Sequence, residues 1–245
     1  MLLEAALNGT RTLTEHPAIP VAPKDQAREA RSAVDEGAGA IHVHVHDTSG
    51  RESLACRDVA RTLEAIRAEC PGIPVGISVG AWIVPEMWRR LALVNSWKVL
   101  PDFVAVNLHE AGAADIIRRL LERGIGVEAG IWNAPAAHTL IDSGLAEHCL
   151  RVLIEPAEGS GNARANFTQI EAALRGISCP YLLHGLGASA WEFVEIAANR
   201  NYHTRMGFED TLLLPNGTRA NSNGDLIAAA RRIVLRWCGS ARCAG

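Results

Sequence analysis

Residues 40–47 read Ala40-Ile41-His42-Val43-His44-Val45-His46-Asp47, and the reading of this stretch orients the rest of the chain. Alternate side chains of a strand share a face, so His42, His44 and His46 are expected on one side and Ile41, Val43 and Val45 on the other. The β-branched face suits packing against helices, which turns the imidazoles toward an interior. Comparable β-rich apolar runs recur at Leu2–Leu7, Ala40–Val45, Pro74–Val79, Phe103–Leu108, Gly126–Ile131, Leu150–Ile154, Tyr181–Leu183 and Tyr202–Met206. Helical patterns separate them, among others at Lys24–Glu36, Leu54–Glu69, Ala113–Arg123, Phe167–Leu174, Trp191–Ala198 and Asp225–Trp237. Gly37, Gly124 and Gly144 fall where helices should stop, and Pro23 where one should begin. Eight such βα units predict a (β/α)8 TIM barrel, a single domain over residues 1–245 that ends in a short tail, Cys238–Gly245. An open doubly wound sheet is the competing arrangement, because periodicity does not encode closure. No Gly-x-Gly-x-x-Gly follows the first strand, which weakens its dinucleotide-binding version.

Composition narrows the function classes. The net charge of −3 has both signs interspersed, so no basic field invites nucleic acid or anionic lipid. No apolar run approaches the roughly 18 residues of a membrane helix, and Glu4 interrupts the N-terminal stretch where a signal peptide would be apolar. The six cysteines (56, 70, 149, 179, 238 and 243) form no Cys-x-x-Cys pair and suggest no disulfide framework. A cytoplasmic protein is expected.

Barrel active sites lie at the C-terminal ends of the strands, where the His42–His46 run stands. Neutral imidazoles at this spacing can share one divalent metal, and a catalytic site needs a third ligand plus an open position. The last strand offers one in Arg205-Met206-Gly207-Phe208-Glu209-Asp210. If it stays extended, Arg205, Gly207 and Glu209 share a face and Glu209 joins the histidines. Asp210 then turns away, free for proton transfer, and Gly207 leaves room for a ligand beside the backbone. Other strand ends carry Asn107, His109, Glu110, Glu128, Trp132, Glu155 and His184, a polar rim rather than an apolar core.

With these elements in order, the chain resembles the β-keto acid cleavage enzymes, the family typified by cleavage of 3-keto-5-aminohexanoate. The resemblance includes Ala6-Leu7-Asn8-Gly9, His16-Pro17-Ala18-Ile19-Pro20, the His-x-His segment with Asp47, Gly50-Arg51-Glu52-Ser53 and Ile77-Ser78. It continues at Arg205–Asp210 and Ala220-Asn221-Ser222-Asn223. It implies a zinc-dependent barrel that reacts a β-keto acid with acetyl-CoA, releasing acetoacetate and a new acyl-CoA by retro-Claisen cleavage. It also implies a homotetramer. Under it, His42, His44 and Glu209 correspond to the zinc ligands, Asp210 to the catalytic base, Arg205 to the group assisting at the reacting carbonyl and Ser78 to a substrate-carboxylate contact.

The departures bear on substrate. The family's Arg after the second ligand is His46 here, and a glutamate that reads a substrate amine is Arg11. A threonine substrate contact falls at Ala105, with Asn107 and Glu110 just beyond as candidate contacts. An Arg11 in the barrel mouth disfavours an amine-bearing tail and favours a carboxylate or neutral polar one. The alternative is a metal-dependent hydrolase, but such barrels usually add a further His or a carboxylated Lys, and no Lys lies near any strand end. A barrel that binds without chemistry is opposed by the presence of His42, His44, Glu209 and Asp210 together.

Overall fold

The computed structural model describes residues 1–156 and 162–241. Eight parallel strands close into a barrel in chain order, each hydrogen-bonded to its sequence neighbours and β1 to β8. They are β1 (Leu3–Ala6), β2 (Ala40–Val43), β3 (Val75–Ser78), β4 (Phe103–Asn107), β5 (Gly126–Ile131), β6 (Arg151–Ile154), β7 (Tyr181–Leu183) and β8 (His203–Met206). Helices α1 (Pro23–Asp35), α2 (Cys56–Glu69), α3 (Met87–Ser96), α4 (Ala113–Glu122), α5 (Ala134–Asp142), α6 (Ala163–Ala173), α7 (Ala190–Arg200) and α8 (Asn223–Ala241) surround it. Closure decides against the open sheet. Helix α8 runs through Cys238 to Ala241, so the expected tail is helical at its start, and residues 242–245 lie outside the described residues.

Alternation builds two separate interiors. Outward residues such as Ile41, Val43, Val104, Val127 and Val152 join helix residues such as Ile116, Leu63 and Phe193 in one continuous shell between barrel and helices. Inside the barrel a second, small apolar cluster holds only Ala105, Leu153 and Leu182. Much of the remaining interior is ionisable: Glu4, His42, Glu128, Arg151 and Arg205 are all buried. Glu4 pairs in register with Arg205 of β8, and Glu128 with Arg151 of β6, so the charges neighbour one another across the sheet.

Two glycines permit close approaches on which the site depends. A Cβ at Gly76 would meet the Phe103 ring at 2.0 Å, so its absence lets that ring fill the barrel floor. A Cβ at Gly207 would meet the Ala6 carbonyl oxygen at 2.0 Å. Gly207 therefore serves the contact between the end of β8 and β1. The room expected there for a ligand is occupied by backbone.

Candidate active site

Strand β2 ends at Val43, yet His44 stays in line with His42 because side chains clamp its backbone. The buried Asn8 accepts from the His44 N–H (2.9 Å) and donates to its carbonyl oxygen (3.0 Å), which also accepts from Gln26 (2.9 Å). His46 leaves the row. It forms an antiparallel bridge with Glu52, lies outside the mouth cavity, and burial lowers its pKa. The bridge folds the loop back so that Glu52 Oε1 lies 2.5 Å from His44 Nδ1. Glu52 Oε2 accepts from Trp82 Nε1 at 2.9 Å, and the indole stacks near His44 with ring centroids 5.8 Å apart. A carboxylate on Nδ1 fixes the tautomer that leaves Nε2 open toward a metal.

Glu209 arrives by a route the extended-strand expectation did not contain. Strand β8 stops at Met206 and residues 207–210 turn, with the Asp210 N–H donating to the Gly207 carbonyl (3.0 Å). Buried Asn223 pins this turn, accepting from the Phe208 N–H (2.8 Å) and donating to the Leu7 carbonyl (3.1 Å). The turn sets Glu209 over Gly9, where a Cβ would meet Glu209 Cγ at 2.5 Å. The carboxylate then stands 3.8 Å from His42 Nε2 and 3.7 Å from His44 Nε2.

These distances are long for hydrogen bonds and suit three ligands around one ion at about 2.0–2.2 Å each. Glu209 Oε2 is buried with no hydrogen-bond partner, as expected of a ligand atom. The ligand-type atoms of His42, His44 and Glu209 lie within 4.8 Å of one another, so the set fits a divalent metal. The protonation of His42 and Glu209 suits that task. Burial lowers the His42 pKa to about 3 against the pull of Glu209, keeping the imidazole neutral. Burial also works to raise Glu209, but Arg205, His44 and His42 outweigh it and hold the carboxyl below its usual range. Burial lowers His44 less than Glu209 and Glu52 raise it.

Glu4, His42 and Glu128 form a second close group just below. Here a protein cation already occupies the charge: Arg151 Nε lies 2.5 Å from Glu128 and Nη2 3.1 Å from Glu4, with the guanidinium 5.2 Å over the Phe103 ring. Burial, with Glu128 second, pushes Glu4 well above the ordinary carboxylate range, partly offset by Arg151. Glu128, expected at the mouth, is thus part of the floor.

Arg205 spans two carboxylates, with Nη2 2.8 Å from Glu209 and 2.9 Å from Asp210. Its Nε is buried without a protein partner, a donor left for another oxygen. Asp210 is fully buried and held rather than free: Oδ1 lies near Arg205 and 3.2 Å from His184 Nδ1, and Oδ2 has no partner. A cavity of about 500 Å³ at the mouth is lined by Thr10, Arg11, Glu15, His42, His44, Ser78, Trp82, Ala105, Asn107, Trp132, Leu153, Glu155, Leu186, Arg205 and Glu209.

The structure therefore brings Arg11, Ser78 and Asn107 to this cavity. Glu110 is a correction: it does not line it. Its carboxylate pairs with buried Arg90, accepts from the Ala81 N–H (2.9 Å) and lies 3.3 Å from Asn107 Nδ2, so it braces Asn107 from behind. Arg11 carries its own partner, Glu15 Oε1 at 3.1 Å. Sequence reasoning missed Glu15, and it did not foresee Trp82 or the part Glu52 plays.

The fold is that of a (β/α)8-barrel enzyme, and the candidate site residues gather at its C-terminal mouth. A family model described as beta-keto acid cleavage enzyme matches residues 1–238, and the chain belongs to that family, whose members cleave carbon–carbon bonds. It is 25% identical over 259 residues to a 3-keto-5-aminohexanoate cleavage enzyme of Fusobacterium nucleatum, covering 96% of this chain and 91% of that one. A shorter match, 33% over 66 residues, covers 27% of the chain and 23% of a 3-oxoadipate:acetyl-CoA acetyltransferase of Cupriavidus necator. Among solved structures, the apo structure of ObcA superposes with a TM-score of 0.69 at 14% identity, covering 90% of this chain and 62% of that one. That likeness concerns the fold alone. No helix among the described residues is long and apolar enough to cross a membrane.

Proposed function

We propose that the protein condenses a β-keto acid with acetyl-CoA and cleaves the product, releasing acetoacetate and a new acyl-CoA, with zinc held by His42, His44 and Glu209. The observation that carries this reading is the convergence of those three ligand-type residues and Arg205 on one cavity wall. When bound, the metal supplies Lewis acidity at the keto oxygen, which makes the adjacent C–H acidic enough for a carboxylate to deprotonate. Ser78, at the end of β3, contacts the substrate carboxylate. Asp210 receives the proton, and its unpartnered Oδ2 is the accepting atom. The free Nε of Arg205 donates to the oxygen on which negative charge develops. The carbon nucleophile attacks the thioester, coenzyme A thiolate leaves and then attacks the substrate's own keto carbon, and the carbon–carbon bond breaks. The proton held by Asp210 returns to the acetoacetate carbon, so the cycle is proton-neutral.

A second, larger cavity of about 910 Å³ adjoins the first through Thr10, Arg11 and Trp82 and adds Arg51 and Arg89. This space and its guanidiniums support a large phosphate-bearing co-substrate entering beside the keto acid. Homologue names point the same way, since one relative is named for acetyl-CoA. The homotetramer that the family resemblance implies belongs to the same proposal. Incubation of purified protein with acetyl-CoA and a panel of β-keto acids tests it, scored by mass for new acyl-CoA. Release of free acid and coenzyme A in place of acyl-CoA would instead establish a hydrolase.

A further inference from the structure

Asp210 is supported by its neighbours in the barrel. Three successive strand ends place Glu155, His184 and Asp210 side by side. Glu155 follows β6 and continues the ladder through its N–H to the Ile131 carbonyl (3.0 Å). His184 follows β7 and donates likewise to the Ile154 carbonyl (3.2 Å). Asp210 is fixed in the turn after β8, and its carbonyl accepts from the Gly187 N–H (2.7 Å). Between them the imidazole is bracketed: Nδ1 is 3.2 Å from Asp210 Oδ1 and Nε2 is 3.1 Å from Glu155 Oε2. These are ion-pair distances without aligned hydrogen bonds. His184 is 1% exposed and does not line the cavity, whereas Glu155 does.

We propose that His184 is the positioning residue of Asp210 and that Glu155 orients His184, so the three act as one unit behind the reacting centre. This rests on the cleavage reading and on Asp210 as its base. The geometry gives the reason. A general base works when one oxygen points steadily at the reacting atom. Arg205 alone cannot supply that steadiness, because Nη2 is shared between Asp210 and Glu209 at nearly equal distances. His184 is the second contact on Oδ1, and with both in place only Oδ2 is left to accept a proton. An imidazole held from one side can swing about its χ angles; Glu155 at Nε2 closes the other side. Asp210 being fully buried, no solvent contact substitutes for either hold.

Solvent deuterium exchange at the α-carbon of a β-keto acid, measured without acyl-CoA, isolates the proton-removal step. In His184→Gln, metal content and KM stay within about twofold of wild type while kcat and the exchange rate fall together, by roughly 10²-fold. Glu155→Gln shows the same split with a smaller loss, about tenfold, and the double variant is no slower than His184→Gln alone. Adding His184→Gln to Asp210→Asn costs nothing further, because the residue being positioned is already disabled. A merely structural His184 would multiply its loss onto Asp210→Asn, and that result overturns the proposal. So does wild-type exchange in Glu155→Gln, a cavity-wall variant that remains decisive if His184→Gln fails to fold. A wild type that exchanges no β-keto acid above the buffer rate overturns the cleavage reading and this proposal with it. Wild-type exchange with multiplicative losses overturns the positioning alone.

Discussion

The mouth and the floor of this barrel both set buried carboxylates beside an arginine and differ in what they leave unsatisfied. On the floor, Glu4 and Glu128 flank Arg151, whose guanidinium reaches both carboxylates and lies over Phe103. At the mouth, Glu209 faces His42 and His44 across gaps of 3.8 and 3.7 Å, with Oε2 unpartnered and a cavity opening beside it. A buried charge is costly unless it is paired. The floor answers with a protein cation and becomes a strut. The mouth gives Glu209 Oε1 to Arg205 but leaves Oε2 and the facing imidazole nitrogens open to a ligand, and becomes a candidate site. His42 touches both worlds, with Nε2 toward Glu209 and its ring grouped with Glu4 and Glu128 below.

The largest test breaks the mouth. His42→Ala should reduce zinc from about one ion per chain to near none, read by metal analysis of the purified protein, and remove turnover with it. Equal zinc in variant and wild type would end the ligand assignment. Asp210→Asn should do something different: keep zinc and fold, and lose about 10²–10⁴ in kcat. Near-normal turnover in a fully metallated Asp210→Asn would dismiss it as the base.

The floor should fail thermodynamically instead. Arg151→Met leaves two buried carboxylates without their cation and should cost about 3–5 kcal/mol in denaturant unfolding, with the protein otherwise able to hold metal. The sign with pH follows from Glu4, whose folded pKa lies above its unfolded value because of burial and Glu128. Losing Arg151 raises it further. The unfolded chain then releases a proton that the folded chain keeps, so the penalty is small below about pH 4.5 and grows as pH rises. A penalty that shrank with rising pH would show that the strut is not electrostatic.

These two regions were unequally legible in the sequence. All eight strands were readable from their apolar runs, and the alternation at residues 40–47 located the mouth. The third ligand-type residue was readable by type but not by path. An extended β8 would have carried Arg205, Gly207 and Glu209 on one face, whereas Gly207 packs on the Ala6 carbonyl and the chain turns. The floor was hidden because charges within short strands look like strand ends when the ends are uncertain by a residue or two. Glu4, Glu128 and Arg151 become a unit only once the register sets β1, β5 and β6 around one axis. Helix α3 was not among the patterns noted, and it buries only Arg90 and Val94 while exposing Trp88. Glu52 needed the His46 bridge, a contact that no local periodicity encodes.

A smaller effect sharpens the boundary of the site. Glu52→Gln keeps a hydrogen-bond partner for His44 but removes the charge behind it, and should weaken zinc affinity about 10–100-fold in a chelator competition. Unchanged affinity would mean that Glu52 serves the loop and not the ligand.

The smallest expected effect lies at the rim, where the structure tempers what the sequence suggested. An Arg11 reaching alone into the mouth would form a desolvated pair with an anionic substrate tail, and its loss would cost about 2–5 kcal/mol. The guanidinium instead already meets Glu15 at 3.1 Å, and the two side chains are 25% and 42% exposed. Water screens a pair this open, to within about 1 kcal/mol, which is roughly fivefold. Glu15 also lines the cavity, so an anionic tail must displace or share its hold on Arg11. Arg11→Glu should therefore lower kcat/KM for anionic-tailed β-keto acids about fivefold relative to neutral ones, with zinc content unchanged. Glu15→Gln should move the same ratio the opposite way, because it frees the cation. A wild type that prefers cationic tails, or variants that treat anionic and neutral tails alike, would remove Arg11 from substrate selection and leave it as a rim brace whose Nε lies 3.4 Å from the Glu209 carbonyl.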